Sequence, residues 1–263
     1  MTDTTVEQMV DSDPAQAVGI DLEQAVDSDR YTAPATEVPS RGGNGTVSLG
    51  DCFRAFWRQP SPPYLFGAVV LMLGLRIAQG SWSWRDAVML AGLIAVTPFV
   101  EWAIHVYVLH SPALRLRGRR VEIPSAREHR AHHEAPAVLG GVLIPVYGVL
   151  VFLPMIALVN WVLSFPIAFV LGGPRLAYAT TGVLVSFAIL ASYEWTHFLI
   201  HTPYRARRRY FKAIWRNHRL HHFKNERYWF GVTSTVGDRV IGTLPDQRTV
   251  ERSPTARSLR AEP

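Results

Sequence analysis

Ten histidines hold the chemistry of this sequence, and all of them fall into four short groups. They read His105-x4-His110, His129-x2-His132-His133, His197-x3-His201 and His218-x2-His221-His222. Residues four apart on a helix share a face, so His197 and His201 can grip one centre. Each HxxHH group sets three imidazoles within about one helical turn. His105 and His110 are five apart and would diverge by over a third of a turn on a regular helix. The helix is therefore expected to tighten or unwind there, helped by Pro112 just beyond. Imidazoles in this number suit a borderline first-row ion such as iron, zinc, copper or nickel. Ten ligands exceed the shell of one ion, so two ions are implied. Cys52, the one cysteine, lies outside these groups, which excludes a disulfide scaffold, a cysteine zinc ribbon and an iron–sulfur cluster.

The elements that must position these groups are membrane helices. The chain has 263 residues, 48% hydrophobic and 18% charged. Its apolar runs concentrate between Leu65 and Ile200. The fold class expected is all-α, a polytopic membrane protein of about four spans with a histidine-rich cap. The spans are Tyr64 to Ala78, Ala87 to Leu109, Val138 to Val159 and Leu176 to Ile200. The stretch Trp161 to Leu171 continues apolar, broken by Pro154 and Pro166, and either extends the third span or dips back into the membrane. Arg76 is expected to snorkel. Residues 1–50 and 246–263 read as disordered polar tails flanking a membrane domain at 51–245, and no signal peptide is evident. The segment Cys52 to Arg58 mixes aromatic and basic residues, as an interfacial helix or a plain linker would.

Charge sets the orientation. Residues 1–51 carry a net −8 and the remainder +14. The loop after span two holds six arginines between Arg115 and Arg130, and eight basic residues lie between Arg205 and Lys224. The opposite loops offer only Arg85 and Arg175. Both basic loops and both termini are thus expected to be cytoplasmic. Because the arginines flank apolar spans, they mark a membrane face and imply no nucleic-acid partner. Twenty-five of the 27 basic residues are arginine, which suggests a GC-rich bacterial genome and hence the inner membrane. Spans three and four go out and back, so the topology returns all four histidine groups to one face.

The sequence also repeats itself. Glu101-Trp102-x2-His105-x4-His110-Ser111-Pro112 echoes Glu194-Trp195-x-His197-x3-His201-Thr202-Pro203, and His129-Arg130-Ala131-His132-His133 echoes His218-Arg219-Leu220-His221-His222. Two similar halves would bring two similar ligand sets together. Glu101, Glu128, Glu134, Asn217, Asn225 and Asp238 are candidates to orient imidazole N–H groups. Tyr147, Trp161, Tyr193, Trp195, Trp229 and Phe230 are candidates to line a lipid slot, or to serve as packing and an interfacial belt.

With these motifs the chain resembles the fatty acid hydroxylase branch of the integral-membrane di-iron superfamily, which includes sterol desaturases and carotenoid hydroxylases. The resemblance covers residues 60–245 and all four histidine groups. The stretches from His218 to Asn225, Phe230 to Ser234 and Gly237 to Thr243 are most similar to fatty acid 2-hydroxylases. Tyr193 and Glu194 fall where that branch carries a tyrosine and an acidic residue, usually aspartate, and are the catalytic residues the resemblance implies. It also implies two iron ions, replaceable by zinc, with dioxygen as co-substrate and a lipid or fatty acyl chain as substrate. Aliphatic C–H bonds give acids, bases and nucleophiles no handle, whereas such a metal pair with dioxygen can insert oxygen. Residues 1–63 lack the two axial histidines of a fused b-type cytochrome, so an external donor is expected, a ferredoxin or b-type cytochrome with its reductase. Spacing does not separate hydroxylation of an acyl chain from lipid desaturation or from sterol or carotenoid ring hydroxylation. A non-redox membrane metal carrier would need a polar path across the bilayer, which the far halves of the spans do not supply.

Overall fold

A computed structural model describes residues 47–259, apart from 118 and 206. Most of the acidic segment expected to be disordered therefore lies outside the described residues. Helix α1 (Leu49–Phe56) opens on a capping box in which Ser48 and Asp51 exchange hydrogen bonds. It is amphipathic: Cys52, Ala55 and Phe56 bury against Leu139, Val142, Leu143, Phe198 and Leu199, while Phe53 stays exposed. The aromatic and basic segment is thus a surface helix seated on the bundle rather than a linker.

Next come α2 (Pro62–Gln79) and α3 (Trp84–Ile104), the latter running on through a π-helical turn at His105–Leu109. A small antiparallel hairpin joins β1 (Leu114–Leu116) to β2 (Arg119–Val121), with Leu114 opposite Val121. Then follow α4 (Pro124–Glu134), a 3-10 turn at Leu139–Gly141, α5 (Val146–Leu171), α6 (Arg175–His201), α7 (Arg209–Phe223) and α8 (Val236–Ile241). Four segments are long and apolar enough to cross a membrane: Pro62–Gln79, Trp84–Leu109, Leu139–Leu171 and Arg175–His201. Trp161 to Leu171 extends the third span, because α5 runs unbroken through Pro154 and Pro166. Gly172, at φ 65°, makes the left-handed turn that sends the chain back into α6.

Helix α6 is the spine, packed against α2, α3 and α5. Tyr178, Val183, Phe187, Ala191 and Phe198 bury along it. By contrast α2, α3 and α5 expose Val70, Ile94 and Leu158, and Phe169 is 91% exposed. Apolar faces this extensive are stable only against hydrocarbon.

Two expectations fail. Arg76 does not snorkel. It is fully buried, with Nη2 2.6 Å from Asp86 Oδ1 and Nε donating to Thr181 Oγ1 at 2.7 Å. Asp86, which also caps α3, supplies the partner that a buried charge requires. Nor is the chain after Asp246 a free tail as far as Leu259. Through a 3-10 turn at Gln247–Thr249 it crosses the histidine-bearing end of the bundle. Its contacts are made by polar and backbone groups, so it lacks the apolar pattern that marks a folded segment.

Candidate metal centre

The ten histidines meet at one end of the bundle in two clusters of five. The first contains His105, His110, His129, His133 and His221, and the second His132, His197, His201, His218 and His222. Within each, the candidate ligand atoms lie within 4.8 Å of one another. The i,i+4 pair of α4, His129 and His133, joins the first cluster, whereas the equivalent pair of α7, His218 and His222, joins the second. The remaining histidine of each group, His132 or His221, points off that face and crosses to the other half's cluster. Each half thus lends one imidazole to its counterpart, and the repeat becomes a single interlocked centre.

The awkward spacing of His105 and His110 is resolved by the π turn. His110 N donates to His105 O at 3.1 Å, an i→i+5 bond that swings residues five apart onto one side. The helix widens here, and the two ring centroids come within 4.9 Å.

The inner atoms are all Nε2. His105 and His133 approach His129 at 3.1 and 3.2 Å, and His110 approaches His221 at 3.2 Å. In the second cluster His218 Nε2 lies 3.1 Å from His197, 3.1 Å from His201 and 3.0 Å from His222, and His132 lies 3.2 Å from His201. An imidazole nitrogen offers one proton or one lone pair, so His218 Nε2 cannot satisfy three such neighbours by hydrogen bonding. Two nitrogens at right angles around a first-row ion, each bound at about 2.1 Å, stand about 3.0 Å apart. The spacing fits ligand shells.

Electrostatics agrees. Burial, reinforced by neighbouring imidazoles, holds His129, His132, His218, His221 and His222 well below the ordinary histidine range. Burial brings His133 down to about 3. These rings are neutral at physiological pH, the form in which a histidine donates to a metal.

Backbone carbonyls hold the rings from behind. His105 Nδ1 donates to Phe230 O at 2.6 Å, His221 Nδ1 to Tyr228 O at 2.8 Å and His133 Nδ1 to Ala256 O at 2.8 Å. Nδ1–H donation leaves the Nε2 lone pair free to face the cluster. Glu101, expected to touch an imidazole, acts one step removed. It accepts from Val232 N, from Thr233 N at 2.8 Å and from Thr233 Oγ1 at 2.5 Å, fixing the loop that offers the Phe230 carbonyl. Asp238 braces the same loop, accepting from Phe230 N at 2.9 Å and Gly231 N at 2.7 Å.

Glu194 repeats the Glu101 arrangement on the other half. Its Oε2 accepts from Ile144 N at 2.8 Å, and His197 has a backbone hydrogen bond to Val142 in the same stretch. In both cases a buried glutamate takes an N–H two residues after the carbonyl that holds the first histidine of its span. The Oε1 atom of Glu194 is buried without a protein partner. The Tyr193 ring lies 5.6 Å from that of His197.

Of the other candidates, Phe230 and Asn217 lie beside imidazoles and the rest make their contacts elsewhere. Glu128 bonds Tyr147 Oη and Arg127, and Asn225 bonds Glu251 O and Arg227 N. The Glu134 carbonyl receives Arg257, and Asn217 is buried on α7 beside His218. Phe230 packs its ring against His105, His110 and His221, and Trp229 donates to Pro245 O. Trp195 joins Phe53 and Phe56, and Trp161 lies beneath Arg175. The Phe230, Tyr228 and Ala256 carbonyls went unforeseen, because backbone groups leave no mark in residue identity.

The family model described as fatty acid hydroxylase matches residues 90–243, a stretch that contains both clusters. The chain belongs to the fatty acid hydroxylase family. A relative in that company is the dihydroceramide fatty acyl 2-hydroxylase FAH2 of Arabidopsis thaliana, 27% identical over 156 residues, or 59% of this chain. The matched stretch spans 61% of that relative's length. A solved structure of full-length scs7p, in which only the hydroxylase domain is visible, aligns with a TM-score of 0.56 at 21% identity. It covers 73% of this chain and 67% of that one, a likeness of fold.

Proposed function

We propose that this fatty acid hydroxylase family member hydroxylates a lipid acyl chain on the carbon next to the carbonyl, using dioxygen and two iron ions held by the ten histidines. The observation that carries the reading is the pair of five-imidazole clusters at one end of an apolar helix bundle, in a chain of this family. Two bound irons, reduced by an external two-electron donor, would activate dioxygen toward an unactivated C–H bond that no side chain can attack.

The chain's own residues do the rest. His105, His110, His129, His133 and His221 hold one ion, and His132, His197, His201, His218 and His222 the other. Glu101 and Glu194 steady the loops behind His105 and His197, so the rings keep their aim without reorganising. Tyr193, beside His197, is placed to meet the substrate. The clusters lie at the ends of the spans, so a chain entering from the bilayer with its head group in the interface presents its first methylenes to them. A centre at the bilayer midplane would reach mid-chain carbons instead.

In this reading the metal end faces the cytoplasm and the protein sits in a bacterial inner membrane, an orientation that the basic loops support. Residues 51–245 form the hydroxylase domain, and a ferredoxin or b-type cytochrome with its reductase delivers electrons there. Zinc would occupy the same ligands if iron is scarce during expression.

The test is mass spectrometry of lipids from cells with and without the gene. An added oxygen at the carbon next to the carbonyl is expected, lost in His197→Ala while the protein stays in the membrane. Loss of two hydrogens, or oxygen on a ring or mid-chain, would replace this reading with desaturation or with sterol or carotenoid hydroxylation.

A further inference from the structure

The family match ends at residue 243, yet the chain beyond it returns to the centre. Ser253–Leu259 lies across the C-terminal ends of both histidine helices. On the α4 side, the Ala256 carbonyl accepts from His133 Nδ1 at 2.8 Å. Arg257 Nη2 donates to the Glu134 carbonyl at 2.6 Å, and Arg130 Nη1 donates to the Leu259 carbonyl at 2.8 Å. On the α7 side, Ser253 N donates to Lys224 O at 2.8 Å, and Thr255 Oγ1 donates to Glu226 Oε1 at 2.6 Å.

These contacts answer two needs. The last carbonyls of a helix lack intrahelical partners, and Arg257 covers two of them at the end of α4, those of His133 and Glu134. His133 needs an acceptor at Nδ1 to keep its Nε2 lone pair turned inward, and the described residues supply that acceptor from this segment. Ala256 is only 3% exposed, so the His133–Ala256 bond is shielded from water. Among the described residues, the segment makes no hydrogen bond to an imidazole of the second cluster.

We infer that Ser253–Leu259 is a positioning strap for one ion of the pair: it sets the tautomer and orientation of His133 and thereby retains the metal of the first cluster but not that of the second. The inference rests on the two-ion reading above and extends the working centre beyond the matched domain. Arg257 is a positioning residue within it, acting on the end of α4 rather than on the metal.

The test compares the full chain in detergent with a chain ending at Arg252, with Arg257→Ala and with Arg257→Lys. Each is loaded with Co(II), its visible spectrum is recorded, and metal per chain is followed during a chelator challenge. The full chain should start with two ions. Truncation should leave one, and Arg257→Ala should speed loss of one ion several-fold while leaving the other unchanged. Arg257→Lys should restore part of the difference. If the truncated chain does not accumulate, the Arg257 pair decides. Two ions lost from the variants at the full chain's rates would overturn the strap alone. Equal acceleration of both ions would also overturn it, leaving Arg257 a general stabiliser. A full chain that starts with one ion or none would overturn the two-ion reading, and the strap with it.

Discussion

In the first cluster three of the five imidazoles are fixed by backbone carbonyls at 2.6 to 2.8 Å; in the second, two are so held, His197 by Val142 and His201 by Pro136, and the buried Nδ1 atoms of His132, His218 and His222 have no protein partner. The same asymmetry runs through the glutamates. Glu101 receives two backbone N–H groups and a hydroxyl, but Glu194 receives one N–H and keeps Oε1 unpaired. Two halves with matching sequence have thus become one ligand set with three rings held by the backbone and a second, more loosely braced set with two. A preorganised site spends less of its binding energy on ordering its ligands, so the first cluster should hold its ion more firmly.

The largest effect that bears on this contrast should come from His218→Ala. His218 Nε2 faces three other nitrogens of the second cluster. The variant should lose the second ion and all detectable product while keeping the first ion, as read by metal content beside lipid analysis. Retention of both ions would break the assignment of His218.

A smaller contrast separates the glutamates. Glu101→Ala strands the Val232 and Thr233 N–H groups in a buried loop, a cost of about 2 to 4 kcal/mol. Glu194→Ala strands one N–H, about 1 to 2 kcal/mol. Thermal unfolding in detergent should rank Glu101→Ala as the less stable, and the reverse order would show that the loops are not braced as described.

The effect most remote from the metals concerns Gly237, where an added Cβ would strike the Pro98 carbonyl of α3. Gly237→Ala should push α8 outward at a cost of about 1 to 3 kcal/mol. Because α8 carries Asp238, which braces the Phe230 loop, retention of the first ion should weaken with little change at the second. Weakening confined to the second ion would contradict the route from α8 through Phe230 to His105.

Much of this was legible in the sequence, for identifiable reasons. The spans announce themselves through long apolar runs, and the histidines through spacing that survives whatever the loops do. The repeat around Glu101 and Glu194 was visible, but its meaning was not. Each glutamate acts on a loop of the other half, and no spacing reveals which backbone N–H it meets. The crossing of His132 and His221 depends on how α4 and α7 are set against each other. The π turn at His105–Leu109 was foreseen as an irregularity, although its form follows from the need to bring His110 back beside His105. Arg76 read as a lipid-facing charge because its partner Asp86 belongs to the next helix. The strap was hidden because its contacts run through carbonyls and hydroxyls, which leave no periodic mark.

The most direct test of the paired centre is the metal content of the purified full chain, set beside that of a variant carrying both His197→Ala and His201→Ala. Two ions in the full chain and one in the variant, held by His105, His110, His129, His133 and His221, is the predicted result. One ion or none in the full chain, or two in the variant, would contradict it.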